Sequence, residues 1–186
     1  MGVQISELRI RNYKCYESLD VILNESILLL GANNVGKTSL LEALELCFTQ
    51  YKRINEEIVF IRKGELLKKD KQIILDVLIT SEQEEFDEEW FDLFGEFVNQ
   101  DPIKEKQYVA FRTTIKYNNL KGEYDLERKA MNVWPETEEV ISFDNFSTRR
   151  VTREIIESLP VFYLDAKRDI SSEMDEKFSY WGKLVK

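Results

Sequence analysis

The chain combines short apolar runs with stretches in which apolar residues recur at helical spacing. Ile5, Leu8 and Ile10 suggest an opening strand, which is broken at residues 11–14. Residues 19–23 alternate between apolar and polar positions, which predicts a second strand. Residues 27–30 are continuously apolar, which predicts a buried parallel strand. Apolar residues then recur at helical spacing over 40–48, with Glu42 and Glu45 between them. This order predicts an α/β fold.

The second half of the chain predicts further strands and helices. Residues 72–80 indicate a strand, and the acidic stretch 82–90 indicates a helix that closes near Gly95 or at Asp101 and Pro102. Alternation over 108–117, a connection containing Gly122 and a returning strand through Arg128 predict an antiparallel hairpin. Ser147 is predicted to cap a helix that reaches residue 158, followed by a strand at 161–164 and a last helix from about residue 171. We therefore expect a mixed sheet with an antiparallel β insert.

Composition narrows the possible functions. A length of 186 residues fits one domain, and 43% apolar with 33% charged residues is typical of a soluble protein. No apolar run is long enough to cross a membrane, so we expect a cytoplasmic protein. The absence of histidine excludes His-dependent catalysis, and Cys15 and Cys47 alone form neither a disulfide framework nor a zinc site. A net charge of −9 argues against strong nucleic-acid binding by this chain alone.

The sequence GANNVGKT lies between the predicted strand at 27–30 and the predicted helix, and it matches the phosphate-binding P-loop. Its glycines allow a tight loop whose N–H groups face a phosphate. Lys37 would contact the β- and γ-phosphates, and the Thr38 hydroxyl would bind Mg²⁺. We predict ATP and Mg²⁺ as ligands. The predicted nucleotide-binding residues are Gly31, Ala32, Asn33, Asn34, Val35, Gly36, Lys37, Thr38 and Ser39.

Two tracts resemble known families. A first strand that ends in Arg11, Asn12, Tyr13 and Lys14, a second strand and then GANNVGKTSLLEAL resemble the ABC-type ATPases of the RecF and SMC class. This resemblance covers residues 1 to about 48. The heptapeptide YLDAKRD at 163–169 resembles a tract of the OLD (overcoming lysogenization defect) family of ATPase–nucleases.

The resemblance implies an ABC-ATPase half-head, of which residues 1–186 are the N-terminal part of a longer protein. The other half would carry the ABC signature, the Walker B acid pair and a switch histidine, and in OLD proteins a Toprim nuclease domain follows. The implied partners are the protein's own C-terminal half, a second copy that forms a homodimer through the ATPase head, and DNA. Arg11, Asn12 and Lys14 would approach the nucleotide, and the alternative is that they form a charged turn at a strand end. ATP hydrolysis is expected only with the second half present.

Other interpretations remain open. Asp165 follows an apolar run as a Walker B acid does, which makes it a second candidate for Mg²⁺, but Ala166 stands where a catalytic base would follow. A P-loop GTPase is possible because 92–95 fits D-x-x-G and 166–169 is one residue short of N-K-x-D. A small-molecule kinase would need a lid with arginines, for which Arg149, Arg150 and Arg153 are the candidates. Within the ABC interpretation, a slowly hydrolysing ATP-dependent clamp is the alternative to control of a nuclease.

Overall fold

The computed structural model describes residues 2–23, 26–49, 54, 56–64, 71–103, 105–159 and 161. Within these residues, seven strands form one sheet, and three α-helices accompany it. The strands are β1 Val3–Tyr13, β2 Tyr16–Ile22, β3 Ile73–Ser81, β4 Asn99–Gln100, β5 Gln107–Asn118, β6 Glu123–Met131 and β7 Phe146–Arg150. The helices are α1 Lys37–Phe48, α2 Glu88–Phe94 and α3 Arg153–Glu157.

The sheet has the strand order β2-β1-β3-β5-β6-β7, and the short β4 pairs with β5. Every pairing among the described residues is antiparallel. The sheet and its helices confirm the predicted α/β class, and these strands account for its antiparallel part. The predicted hairpin forms as β5 and β6, and its connection places Gly122 at φ 72°, where glycine is favoured.

One face of the sheet carries the main hydrophobic core, against which α1 packs. Strand residues that alternate along β1, β3 and β5 meet the apolar side of the helix, which includes Leu40, Ala43 and Cys47. Burial raises the pKa of the Cys47 thiol to about 12, so this cysteine is a packing residue and not a nucleophile at neutral pH. The core therefore fixes the axis of the helix that follows the predicted P-loop.

The opposite face of the sheet carries a buried row of charges. Arg9, Asp76 and Arg112 are register neighbours on β1, β3 and β5. The Arg112 guanidinium donates to both carboxylate oxygens of Asp76, at 2.7 and 2.6 Å, and both side chains are fully buried. Burial raises the pKa of Asp76, and Arg112 acts in the opposite direction by stabilising the carboxylate. Trp134, Phe143 and Phe146 cover the row, with Arg9 lying 4.2 Å from the Trp134 ring centroid.

Arg128 of β6 ties the C-terminal end of α1 to the sheet. Its Nε donates to the Cys47 carbonyl at 2.8 Å, and its Nη2 donates to the carbonyls of Leu46, at 2.6 Å, and Thr49. The last carbonyls of a helix have no partner within the helix, and a cation there also meets the negative end of the helix dipole. Arg128 therefore holds α1 in a fixed position along its axis.

We expect Arg128→Met to lower the free energy of unfolding by about 2 kcal/mol, because charge-assisted hydrogen bonds to buried carbonyls are lost. The matched control is Lys129→Met, which removes an exposed cation from the next position, on the other face of the same strand. Its effect should stay within about 0.5 kcal/mol. Urea unfolding of both variants measures the difference. Equal losses for the two would contradict the anchoring role of Arg128.

Several predicted elements are wrong. Residues 27–30 form no strand: Leu28 and Leu30 are 79% and 81% exposed, and none of the seven strands pairs with this run. Strand β1 continues through residues 11–13 instead of breaking there. The acidic helix begins only at Glu88, because Asp87 caps it by accepting from the Trp90 N–H at 3.1 Å.

The predicted helix from Ser147 is also wrong. Residues 146–150 form the edge strand β7, and the helix that follows is α3, which is capped by Thr152. The predicted strand at 161–164, except Val161, and the predicted last helix lie outside the described residues, and Val161 itself is not in a strand.

Candidate nucleotide-binding site

The loop at residues 31–36 turns sharply into α1. Gly36 precedes the first helical residue with φ 103° and ψ −2°, a left-handed conformation that a residue with a side chain rarely adopts. A Cβ added there would lie 2.5 Å from the Tyr16 hydroxyl oxygen and 2.6 Å from Cys15 Sγ. Asn34 also has a positive φ, 67°. The second glycine of the motif is therefore required both by its backbone conformation and by its packing.

The N-terminus of α1 is suited to an anion. Gly36 has no side chain with which to cap the helix, and the first turn contains no acidic residue. The first N–H groups of a helix lack partners within the helix, and the helix dipole places partial positive charge there. A phosphate at this point would satisfy both, because the N–H groups point toward it.

Lys37 reaches back across the loop from the first position of α1. Its Nζ donates to the carbonyl oxygens of Gly31 and Ala32, both at 2.7 Å. An ammonium group carries three N–H donors, and the two bonds to the loop use two of them. The third donor could contact a phosphate oxygen. Lys37 thus contributes to the shape of the loop and also places a positive charge at its mouth.

A cavity of about 390 Å³ opens in front of the loop. Lys37, Thr38 and Ser39 all belong to its wall. Hydroxyl oxygens suit Mg²⁺, and backbone N–H groups with a lysine suit phosphate oxygens, so the residues present fit a nucleotide polyphosphate with its metal. Its lining residues are Cys15, Asn33, Asn34, Gly36, Lys37, Thr38 and Ser39.

The turn between β1 and β2 lies against the same helix. Lys14 has φ 48° and forms an ion pair with Glu42 of α1. Tyr16 donates from its hydroxyl to the Gly36 carbonyl at 2.9 Å. Sequence reasoning included Lys14 among the site residues and missed Cys15 and Tyr16. The available signal was that both directly follow the tract that carries the family resemblance.

The structure gives Arg11 and Asn12 partners within the sheet. Arg11 is 4% exposed, and its guanidinium donates to the two carboxylate oxygens of Asp20 at 2.5 and 3.1 Å. The Asn12 side-chain amide donates to the Gln72 carbonyl at 2.9 Å. Arg11, Asn12 and Lys14 were predicted to approach the nucleotide. The structure brings Lys14 to α1, where it pairs with Glu42, and gives Arg11 and Asn12 other partners. Contact of Arg11 and Asn12 with a nucleotide stays a prediction.

The remaining candidates lie elsewhere. Asp165 and the 163–169 tract are outside the described residues. Asp92 lies within α2, not at the end of a strand. Arg149 pairs with Glu96, and Arg153 pairs with Glu157 on the surface. Within the described ranges no group of three or more acidic or cysteine side chains could hold a metal ion, and no helix is long and apolar enough to span a membrane.

Comparison with known proteins gives two similarities. The sequence profile of a family described as "AAA ATPase domain" matches residues 4–181. The chain is also 38% identical over 63 residues to the DNA replication and repair protein RecF of Corynebacterium jeikeium (strain K411). That match spans 33% of this chain and 15% of the relative's length.

Proposed function

Because this chain belongs to the AAA ATPase domain family, we propose that it is the ATP- and Mg²⁺-binding N-terminal part of an ABC-type ATPase that acts with DNA. The observation that carries the proposal is the arrangement at the start of α1. There, a left-handed glycine, a lysine folded over the loop and an uncapped helix N-terminus converge on one polar cavity. These features together are what a nucleotide polyphosphate needs.

The binding roles follow from the chemistry of each group. The loop N–H groups and Lys37 would hold the phosphates, and Thr38 would hold the metal, with Ser39 beside it. Bound Mg²⁺ would neutralise charge on the phosphate oxygens. Asp165 is a second candidate metal ligand, and Lys14, which pairs with Glu42 of α1, is a candidate to approach the nucleotide together with Arg11 and Asn12. Titration of the chain with ATP and Mg²⁺ in a calorimeter tests the proposal, and a lack of saturable binding would overturn it.

We expect the site to prefer ATP to GTP. The guanine-reading tetrapeptide N-K-x-D is incomplete in this chain, because Ala166 replaces the asparagine. Competition of ATP and GTP against a fluorescent ATP analogue measures the preference. Asp169→Asn is the matched variant: it should leave both affinities unchanged in an ATPase but weaken GTP strongly in a GTPase. A clear preference for GTP that Asp169→Asn abolishes would establish the GTPase interpretation instead.

The similarity to RecF favours a larger protein that works on DNA, because the relative is named a DNA replication and repair protein. We propose that the whole protein contains a second half-head, dimerises through its ATPase heads and resides in the cytoplasm. Control of an OLD-type Toprim nuclease is the first candidate, motivated by residues 163–169, and an SMC- or RecF-like clamp is the second. The coding sequence beyond residue 186 discriminates between them: a Toprim acid cluster supports the nuclease, and a long heptad region supports the clamp.

A further inference from the structure

The carbonyl group of Gly36 accepts hydrogen bonds from two directions. One donor is the Leu40 N–H, at 2.9 Å, which belongs to the first turn of α1. The other is the Tyr16 hydroxyl, also at 2.9 Å, which comes from the start of β2, 20 positions earlier in the chain. A carbonyl oxygen has two lone pairs, so both bonds can form together. The orientation of this carbonyl is therefore set partly from outside the loop and the helix.

The orientation of that carbonyl determines where the next N–H points. A trans peptide is planar, so the C=O of Gly36 and the N–H of Lys37 point in opposite directions within one rigid unit. The Tyr16 hydroxyl and the Leu40 N–H hold the Gly36 carbonyl toward the body of the protein. The Lys37 N–H, which points the opposite way, is thereby directed toward the mouth of the loop. That N–H is one of the unpaired donors at the helix start that a phosphate would meet.

The turn that carries Tyr16 is itself held firmly. Lys14 forms an ion pair with Glu42 of α1, and its backbone N–H donates to the Ile58 carbonyl at 2.6 Å. The Tyr16 ring and Cys15 Sγ pack so closely on Gly36 that a Cβ there would collide with both. Burial, together with Cys15, raises the pKa of Tyr16, so its hydroxyl remains a donor at neutral pH.

We propose that Tyr16 is a positioning residue for phosphate binding: its hydroxyl orients the Gly36–Lys37 peptide so that the Lys37 N–H faces the phosphates. This inference rests on the proposed nucleotide binding and adds to it a residue from β2. It predicts that the hydroxyl affects affinity for the phosphate chain itself and not only the stability of the fold.

Tyr16→Phe removes the hydroxyl and keeps the ring that packs on Gly36. We expect the affinity for ATP to fall by about three- to tenfold, the value of one net hydrogen bond. The affinity for inorganic tripolyphosphate should fall by the same factor, because the loss lies at the phosphates. Calorimetric titrations at a temperature where every variant is fully folded measure both ligands.

Tyr108→Phe is the matched control. Its hydroxyl accepts a hydrogen bond from the backbone N–H of Trp134 at 3.3 Å, on the other face of the sheet. The change therefore removes a tyrosine hydroxyl that is hydrogen-bonded away from the loop. It should leave both affinities unchanged. Equal affinities in Tyr16→Phe and the parent, or an equal loss in Tyr108→Phe, would overturn the positioning role. So would a loss for ATP without one for tripolyphosphate.

Amide NMR of the same variants separates failure of this inference from failure of nucleotide binding. With no ligand added, Tyr16→Phe should shift the amide signals of Gly36 and Lys37, and Tyr108→Phe should not. If the parent does not bind ATP, the proposed function fails, and these shifts alone decide whether Tyr16 orients the peptide. Unshifted Gly36 and Lys37 signals would overturn the inference even if the parent binds ATP.

Discussion

Lys37→Ala is expected to weaken ATP binding by about a hundredfold or more, because the change removes a charge and also loosens the loop. The ammonium donates to the Gly31 and Ala32 carbonyls, so it holds the loop as well as facing its mouth. Lys37→Met keeps most of the side-chain length without the charge, and its effect should be nearly as large. Titration with a fluorescent ATP analogue measures both variants.

The control for Lys37→Ala is Lys116→Ala, which removes the same charge from an exposed position on β5. We expect its ATP affinity to stay within about twofold of the parent, since surface charges far from the site are screened by salt. Thermal unfolding of each variant confirms that folded proteins are being compared. An ATP affinity within about threefold of the parent in Lys37→Ala would overturn the assignment of this loop to ATP.

The second large effect concerns turnover. We expect the 186-residue chain to bind ATP but to release phosphate at least about ten-thousandfold more slowly than a version extended by the proposed second half-head. Phosphoryl transfer is accelerated mainly by positioning and charge neutralisation, so each contributing group adds to the rate. A base that orients water and a signature helix that closes over the γ-phosphate are each worth about a hundredfold or more.

Steady-state phosphate release from the two lengths of protein, at equal and saturating ATP, measures the ratio. A third sample, the 186-residue chain with Asp165→Asn, identifies the source of any residual activity. If the shorter chain hydrolyses ATP as fast as the longer one, and Asp165→Asn abolishes that activity, the half-head proposal is wrong. Asp165 would then be the Walker B acid.

The parts of the molecule that depend on local patterns were predicted from sequence. The tight turn into α1 was predicted because such a loop needs glycine, and Gly36 has the expected positive φ, while binding of a phosphate there stays a prediction. The hairpin of β5 and β6 follows from alternation on both sides of a turn that contains Gly122. In both cases the residues that determine the structure are close together in the chain.

The errors arise where the partner of a group is distant. The run at 27–30 has the composition of a buried strand, but a strand also needs a neighbour, and none of the described strands pairs with it. Ser147 and Thr152 are both suitable caps, and the pairing of Phe146 with Met131 and of Arg150 with Lys129 shows that the helix must start later. The Tyr16 contact joins residues 20 positions apart and leaves no periodic trace in the sequence.

The attachment of α1 at its far end has a mechanical consequence. The helix is about 18 Å long, given its 12 residues, and Arg128 fastens its last carbonyls to β6 while its apolar side is embedded in the core. A helix held in this way cannot slide or rotate without breaking charged hydrogen bonds. The loop ahead of the helix is tied to this frame as well, because Lys37 of α1 donates to the Gly31 and Ala32 carbonyls and Tyr16 donates to the Gly36 carbonyl. Because the loop is tied to a helix that is itself fixed to the sheet, α1 acts as the stationary frame that sets where the loop presents its N–H groups.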